Sequence, residues 1–285
     1  MTFDGLNRFL LLCARKGFLK PLRESCYRKF CRQNKGRSFL VTTKFGTSMK
    51  VIIGDSVDNQ IYVKNVFEFA TSNLMQKLSR KSNCLVDVGC NIGYFSCLFG
   101  KSNPQAFIYS IDPNPKMYER TIENLKLNQI RKFETFNCGI SSRNDTLKFY
   151  IPRRRHSLAS FLQPEKDLDD TDIMEIEVRP LMNVLDGKNL NNAVLKIDTE
   201  GFEYNVLSGI SPADAQNFSY IIFEFASDHL RQAGLTGKEI FDIPWFKNYE
   251  AFSIKSDGSL EPFVYRDETD YNLNICMKRK GFSID

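Results

Sequence analysis

The sequence predicts an α/β fold built on a mostly parallel sheet whose last strand is antiparallel, with an N-terminal helical and hairpin extension. Three observations predict it. The apolar run Cys84-Leu85-Val86 ends at Asp87, and is followed by Gly89, Gly93 and a helical pattern of Tyr94, Phe95, Cys97, Leu98 and Phe99 stopped at Gly100. Phe107 to Ile111 is a second buried strand, ending at Asp112 before Pro113-Asn114-Pro115 and a helix over residues 116–128. Ala193 to Ile197 is a third, ending at Asp198 before a helix from about Phe202 to Gly209. Strand, glycine turn and helix in succession bring a small ligand against bare backbone at the carboxyl end of a parallel strand.

The other elements follow in order. Residues 1–37 hold ten Lys/Arg against Asp4 and Glu24, a net +8, so with +5 overall the remainder carries −3. Basicity therefore belongs to an arm, in which apolar residues from Leu6 to Phe30 recur at helical spacing and predict two amphipathic helices broken near Gly17 and Pro21. Such an arm is read as a helical cap with a solvated face, as a peripheral contact with anionic membrane or, third, as a nucleic-acid contact. Phe39 to Thr43 and Ser48 to Ile53 read as a hairpin, and residues 58–78 as one helix. Lys132 to Cys138 is a further strand. Thr146 to Ile151 and Ile173 to Val178 alternate like strands around a polar segment with Arg153-Arg154-Arg155-His156-Ser157. Tyr220 to Phe225, Phe246 to Ile254 and Asn272 to Lys278 supply the closing strands, the last antiparallel. The expected division is an arm plus hairpin over residues 1–57 and a main domain over residues 58–285, with residues 146–178 as an insertion near the acceptor site.

Length and composition narrow the class. A chain of 285 residues with 42% hydrophobic and 26% charged content can bury one large core. Eight cysteines fall largely within apolar strands, with no C-x-x-C pair and no Cys/His cluster, so neither a disulfide framework nor a structural zinc site is expected. The apolar run Phe9 to Cys13 is too short for a membrane span or a signal peptide. A reducing, cytoplasmic setting follows, with the inner face of the membrane as the place for any peripheral contact.

The chemistry concentrates at strand tips. A carboxylate at Asp87 would repel a pyrophosphate but suits a ligand that carries an ammonium and a sulfonium, as S-adenosylmethionine does. Asp112, 19 residues beyond Gly93, stands where a ribose diol is held by charge-assisted hydrogen bonds, or else caps the following helix. Asn137, Cys138 and Gly139 lie at the tip of the strand that begins at Lys132, beside the place for an adenine. Asp198, Glu200 and Glu203 face the same crevice, although Glu200 and Glu203 also serve a helix dipole. Glu224, a lone acid in an apolar strand, is expected to point into the site. His156 is either a solvated loop histidine or a proton acceptor.

Four stretches, D-V-G-C-N-I-G-Y-F-S (Asp87 to Ser96), I-D-P-N-P (Ile111 to Pro115), L-K-I-D-T-E-G-F-E (Leu195 to Glu203) and I-I-F-E-F (Ile221 to Phe225), resemble the FkbM family of S-adenosylmethionine-dependent methyltransferases. The likeness covers roughly residues 67–225 and departs from the family's habit at Cys90, often Ala, and Asp112, often Glu. It implies a Rossmann-like class I methyltransferase sheet and O-methylation of a sugar hydroxyl on a glycan, polysaccharide or glycosylated natural product. Carried over by position, Asp87, Gly89, Asn91 and Gly93 cradle the methionine part and Asp112 the ribose. Asn137, Cys138 and Gly139 take the adenine, and Glu68 and Asn114 complete the cofactor set. Asp198 or His156 is the expected base, with Glu200 and Glu224 orienting the acceptor; Asp198 could instead hold the cofactor's ammonium. No metal ligands are assigned, although a divalent cation on Asp198 and Glu200 is compatible with the acids. The expected partner is a carbohydrate or glycoconjugate acceptor. The alternatives are an RNA or protein methyltransferase and a non-catalytic scaffold; nucleic acid is disfavoured because no aromatic and basic interleaving is present.

Overall fold

The computed structural model describes residues 20–153, 156–164, 168–267 and 269–283. The first of the two arm helices, Arg154 and Arg155 therefore lie outside the described residues. The described part of the arm is α1 (Lys20–Asn34), whose Phe30 is buried against Ile53 and stacks on Tyr62 at 5.2 Å. No described helix is long and apolar enough to cross a membrane.

β1 (Ser38–Thr42) and β2 (Ser48–Ile52) form the expected hairpin. Its Val41, Met49 and Val51 share one apolar cluster with the main domain, so the hairpin is part of the common core. The helix expected over residues 58–78 is two, α2 (Ser56–Lys64) and α3 (Phe69–Ser79). Asn65 ends the first in the left-handed region at φ 55° and Glu68 begins the second at φ 39°. Asn is among the residues that tolerate that conformation, which ends a helix without any proline or glycine.

The central sheet has eight strands. Five are parallel, in the spatial order β10 (Phe218–Ala226), β9 (Ala193–Ile197), β3 (Cys84–Val88), β4 (Phe107–Ile111) and β5 (Phe133–Phe136). β13 (Asn272–Arg279) pairs antiparallel with β10, as expected, and β11 (Tyr249–Ile254) and β12 (Leu260–Pro262) continue that edge. β12 was not foreseen, since three residues carry too little pattern. The strand expected over Lys132 to Cys138 is shorter, Phe133–Phe136, because the chain leaves the main sheet there and continues as β6 (Gly139–Ile140). There it joins the inserted pair β7 (Asp145–Pro152) and β8 (Thr171–Arg179) in a separate three-stranded sheet.

Side chains alternate between two cores. Cys84, Val86, Val88, Leu195 and Ile197 face one apolar cluster, and Leu85 and Val194 the other. Both faces are covered, which is why the strands read as continuous apolar runs. Helices α4 (Tyr94–Ser102) and α5 (Pro115–Leu127) follow β3 and β4. Gly100 does not stop α4; it lies within the helix, where a side chain would strike Ile130. On α5, Asn124 and Asn128 accept from the amides of Lys50 and Ser48, which fastens the hairpin to the domain. The seven described cysteines are free thiols.

The chain runs outward from β3 through β4 to β5 and returns to β9, so the order reverses between β3 and β9. In open parallel sheets, the crevice at that reversal is where ligands bind.

Candidate active site

A cavity of about 970 Å³, open mouth included, lies at the carboxyl ends of β3, β4, β9 and β10. The glycine turn forms one wall. Gly89 sits at φ +75°, and a Cβ there would lie 1.8 Å from the Asp198 carbonyl oxygen. The tips of β3 and β9 thus touch through backbone, joined by the Asp198 amide donating to Val88 O at 3.0 Å. The Gly89 and Cys90 amides both donate to Ile111 O, which ties the turn to β4.

Asp112 is the buried post of this wall. Its carboxylate accepts from the Asn91 amide at 2.8 Å and the Asn114 amide at 2.9 Å, and it lines the cavity with both residues. Burial raises its pKa to about 7, against the opposing pull of those two amides. The cap of α5 is Asn114, which accepts from the Lys116 amide, and not Asp112 as the capping reading expects.

Several expected contacts need correction. Asp87 does not line the cavity; it points with Leu85 beneath α4, where Ser96 Oγ donates to it at 2.6 Å. The alternation of β3 puts it there, one residue short of the strand's end. Gly93, Asn137 and Gly139 also do not line the cavity. Gly93 lets the turn lie on Thr121, and Asn137 braces the carbonyls of Asp112 and Pro113. Gly139 gives room to Phe161 and Val178. Cys138, Gly89, Asn91 and Glu68 do line the cavity, as do Asp198, Glu200, Glu224 and His156.

Lys196 was missed. It is 3% exposed, lies over the Phe95 ring at 4.6 Å and donates to Asp198 Oδ2 at 2.9 Å. Its register partner on β3 is Asp87, on the same sheet face. Burial alone would lower its pKa, but Asp198, Asp87 and Glu68 outweigh it and the net shift is upward. The signal was available, since a lone Lys in the apolar run 193–197 poses the same question as the lone Glu224. The cavity lining then holds five carboxylates, Glu68, Asp112, Asp198, Glu200 and Glu224, against this one lysine. Burial and its neighbours Asp198 and Glu224 push the Glu200 pKa well up.

The insertion closes one side. Tyr150 and Ser160 exchange backbone hydrogen bonds, folding the segment after β7 back so that Phe149, His156 and Phe161 reach the cavity. Ser160 Oγ donates to the Glu200 carbonyl at 2.7 Å, and the Ser157 amide donates to Asp55 Oδ2 at 2.8 Å. His156 presents its Nδ1 in a buried position with no partner. His229, which the sequence gave no reason to single out, stands just beyond β10 between two glutamates. Its Nδ1 lies 3.6 Å from Glu224 Oε2 and its Nε2 3.8 Å from Glu200 Oε2.

A parallel sheet with a glycine turn at the reversal of strand order, an acid closing the next strand and an acid-lined cavity across both tips defines a Rossmann-like methyltransferase. The family model described as "Vibrio cholerae RfbT protein" matches residues 33–281. The chain belongs to that family, an FkbM-type methyltransferase family. It is similar to methyltransferase sdnD of Sordaria araneosa, 29% identical over 154 residues, covering 44% of this chain and 60% of that protein. It is also similar to 2-O-methyltransferase NoeI of Sinorhizobium fredii, 23% identical over 202 residues, covering 66% of this chain and 82% of that protein. The first of these curated relatives is thus matched over less than two thirds of its length. Among solved structures, P. horikoshii TYW2 in complex with MeSAdo aligns with a TM-score of 0.46 at 10% identity, over 87% of this chain and 73% of that one.

S-adenosylmethionine is the cofactor of this family type, and the residues present fit it. Asp112 is held by two amides yet still lines the cavity, and the excess of carboxylates suits a sulfonium and an ammonium. A pH dependence follows. Because the folded pKa of Asp112 is raised, the free protein gains stability from its proton at low pH and loses that contribution as pH rises from the ordinary Asp range toward about 7. Were a ribose diol to donate to Asp112, as the sequence reading expects, the ionised form would be the stronger acceptor. The affinity for S-adenosylhomocysteine is therefore expected to weaken below pH ~7, approaching about tenfold per pH unit. Calorimetry between pH 5.5 and 8.5 checks this, and Asp112→Asn should flatten the profile.

Proposed function

We propose that this protein transfers the methyl group of S-adenosylmethionine to a sugar hydroxyl of a glycan, polysaccharide or glycosylated natural product. The observation that carries the reading is the state of Glu200 and Glu224. Both line the cavity, yet Glu224 Oε2 is shut off from solvent with no hydrogen-bond partner, and the His229 imidazole stands 3.8 Å from Glu200, beyond hydrogen-bond distance. Buried acceptors without donors are costly, and a substrate rich in hydroxyl donors satisfies them. The similarity to a 2-O-methyltransferase supports the same class.

The bound cofactor supplies a methyl group on a good leaving group. This chain's residues then have two tasks. Glu200 and Glu224 fix the direction of the acceptor hydroxyl, because in-line positioning is worth up to about 7–11 kcal/mol. Asp198 or His156 takes the hydroxyl proton. Lys196 holds Asp198 in place, and the fold-back of the insertion over His156 and Phe161 narrows the path for water. The RNA-directed alternative is weakened at Arg153, whose guanidinium is already paired with Asp172 at 2.7 Å.

The test is methyl transfer from labelled S-adenosylmethionine to a panel of nucleotide sugars, oligosaccharides, RNA and protein. Labelled sugar that releases O-methyl monosaccharide on hydrolysis is expected. Label in RNA or protein alone would overturn the acceptor reading. For the base, Asp198→Asn and His156→Ala are each expected to be compared at saturating cofactor, and one should lose about 10²–10⁴-fold in turnover. Near-normal turnover in both, with unchanged cofactor affinity, would remove that assignment.

A further inference from the structure

We propose that Glu200, Glu224 and His229 form a binding site for one divalent first-row metal ion at the edge of the cavity. One ligand atom from each of the three lies within 4.8 Å of the others, so small rotamer changes bring them to the ~2.0–2.2 Å that such an ion requires. Two pieces of chain supply them: the loop after β9, and the continuous run from the end of β10 into the short helix Ser227–Gln232.

A second observation points the same way. Glu224 Oε2 and His229 Nδ1 are both closed off from solvent and both lack a hydrogen-bond partner, 3.6 Å apart. That is too long for a hydrogen bond and leaves an acceptor and a ring nitrogen facing each other unsatisfied. The third ligand is held in place. Glu200 is at φ 52° with its carbonyl bound by Ser160 Oγ at 2.7 Å, and Gly201 lies against the His229 side chain so closely that a Cβ would come within 3.1 Å of it. Asp198, Glu200, Glu203 and Glu224 crowd this corner, and the one buried lysine is already engaged with Asp198. A dication would offset that crowding more fully than a singly charged imidazolium at His229.

The donor set selects the ion. Two carboxylates and one imidazole suit Mn²⁺ better than the softer ions that seek thiolate. Glu200 and Glu224 line the cavity and His229 does not, so the imidazole anchors the ion from behind and the remaining coordination positions open toward the acceptor. An ion held there would lower the pKa of a coordinated acceptor hydroxyl, and Asp198 or His156 would take the hydroxyl's proton. This use rests on the O-methylation reading above; the site itself does not.

The experiment is titration of the chelator-treated full chain with Mn²⁺, followed by the loss of the free-ion electron paramagnetic resonance signal, without cofactor or acceptor. One saturable site per chain is expected, and His229→Ala and the near-isosteric Glu224→Gln should each weaken it about 10–100-fold. Thermal unfolding without metal reads whether each variant is folded, and Mn²⁺ should raise the melting temperature of the wild type but not of the variants. The absence of a saturable site, or a site untouched by Glu224→Gln, would overturn the proposal and leave His229 as an imidazolium between two carboxylates. Saturable binding without transfer to any sugar would instead remove the acceptor reading and leave the ion site standing.

Discussion

Gly89→Ala is expected to abolish measurable binding of S-adenosylhomocysteine and to lower the melting temperature by roughly 5–20 °C. Two costs combine. A side chain at φ +75° is strained by about 1–3 kcal/mol, and its Cβ would meet the Asp198 carbonyl oxygen at 1.8 Å. That neighbour is backbone, fixed by the Asp198 amide bonding to Val88, and cannot swing aside as a flexible side chain would. Overpacking adds about 1–3 kcal/mol more by forcing the β3 and β9 tips apart, and the cavity wall is the part that moves. Gly36 provides the control, because it has nearly the same angle, φ +79°, and nothing within 4 Å of its Cβ position. Gly36→Ala should therefore show the conformational cost alone and keep normal affinity. Thermal unfolding and calorimetry on both variants decide the matter; equal behaviour of the two would mean that the β3–β9 contact does not shape the site.

Lys196→Met is expected to cost about 3–5 kcal/mol near neutral pH, the usual result of stripping a buried charge cluster of its counter-ion. Lys196 is the cation for Asp198, its register neighbour Asp87 and Glu68, so its loss leaves acids without compensation in a closed space. The sign with pH can be worked out. A lysine with a raised pKa contributes fully at any pH below the ordinary lysine range, so wild-type stability from this group is intact at pH 7. In the variant the acids regain stability only by taking up protons, so the deficit should shrink as pH falls toward 5. Adding Asp198→Asn should recover part of the loss. Denaturant unfolding at pH 5 and pH 7.5 is the measurement, and a deficit that grows on acidification would exclude this account.

The two variants bear on different levels of what the sequence conveys. The repeated strand, turn and helix, the antiparallel closing strand and the inserted pair are local patterns of period two and period 3.6, readable without knowing what lies opposite. The break at residues 65–68 was not readable, because Asn65 and Glu68 take left-handed angles that only their packing enforces. Glu224 was placed in the cavity by a cost argument, and the same argument applied to Lys196 would have found it. His229 carries no such mark, since a histidine on a polar helical turn is ordinary until the fold brings Glu200 and Glu224 to either side of it. Asp87 shows the reverse, a motif residue whose role the pattern overstated.

By itself the sequence determined the main-sheet strands other than β12, that an acid stands at or beside the tip of three of them, and that those tips share one edge. Those are properties of neighbours along the chain, where burial and backbone angles act within a few residues. Only the tertiary structure decided which acids face the ligand and which stand behind it. That choice depends on strand alternation at the last residue and on contacts across more than a hundred positions. Asp87 turned beneath α4 while Asp112 stayed at the cavity, and Lys196 came to rest opposite Asp87, distant in sequence and adjacent in register.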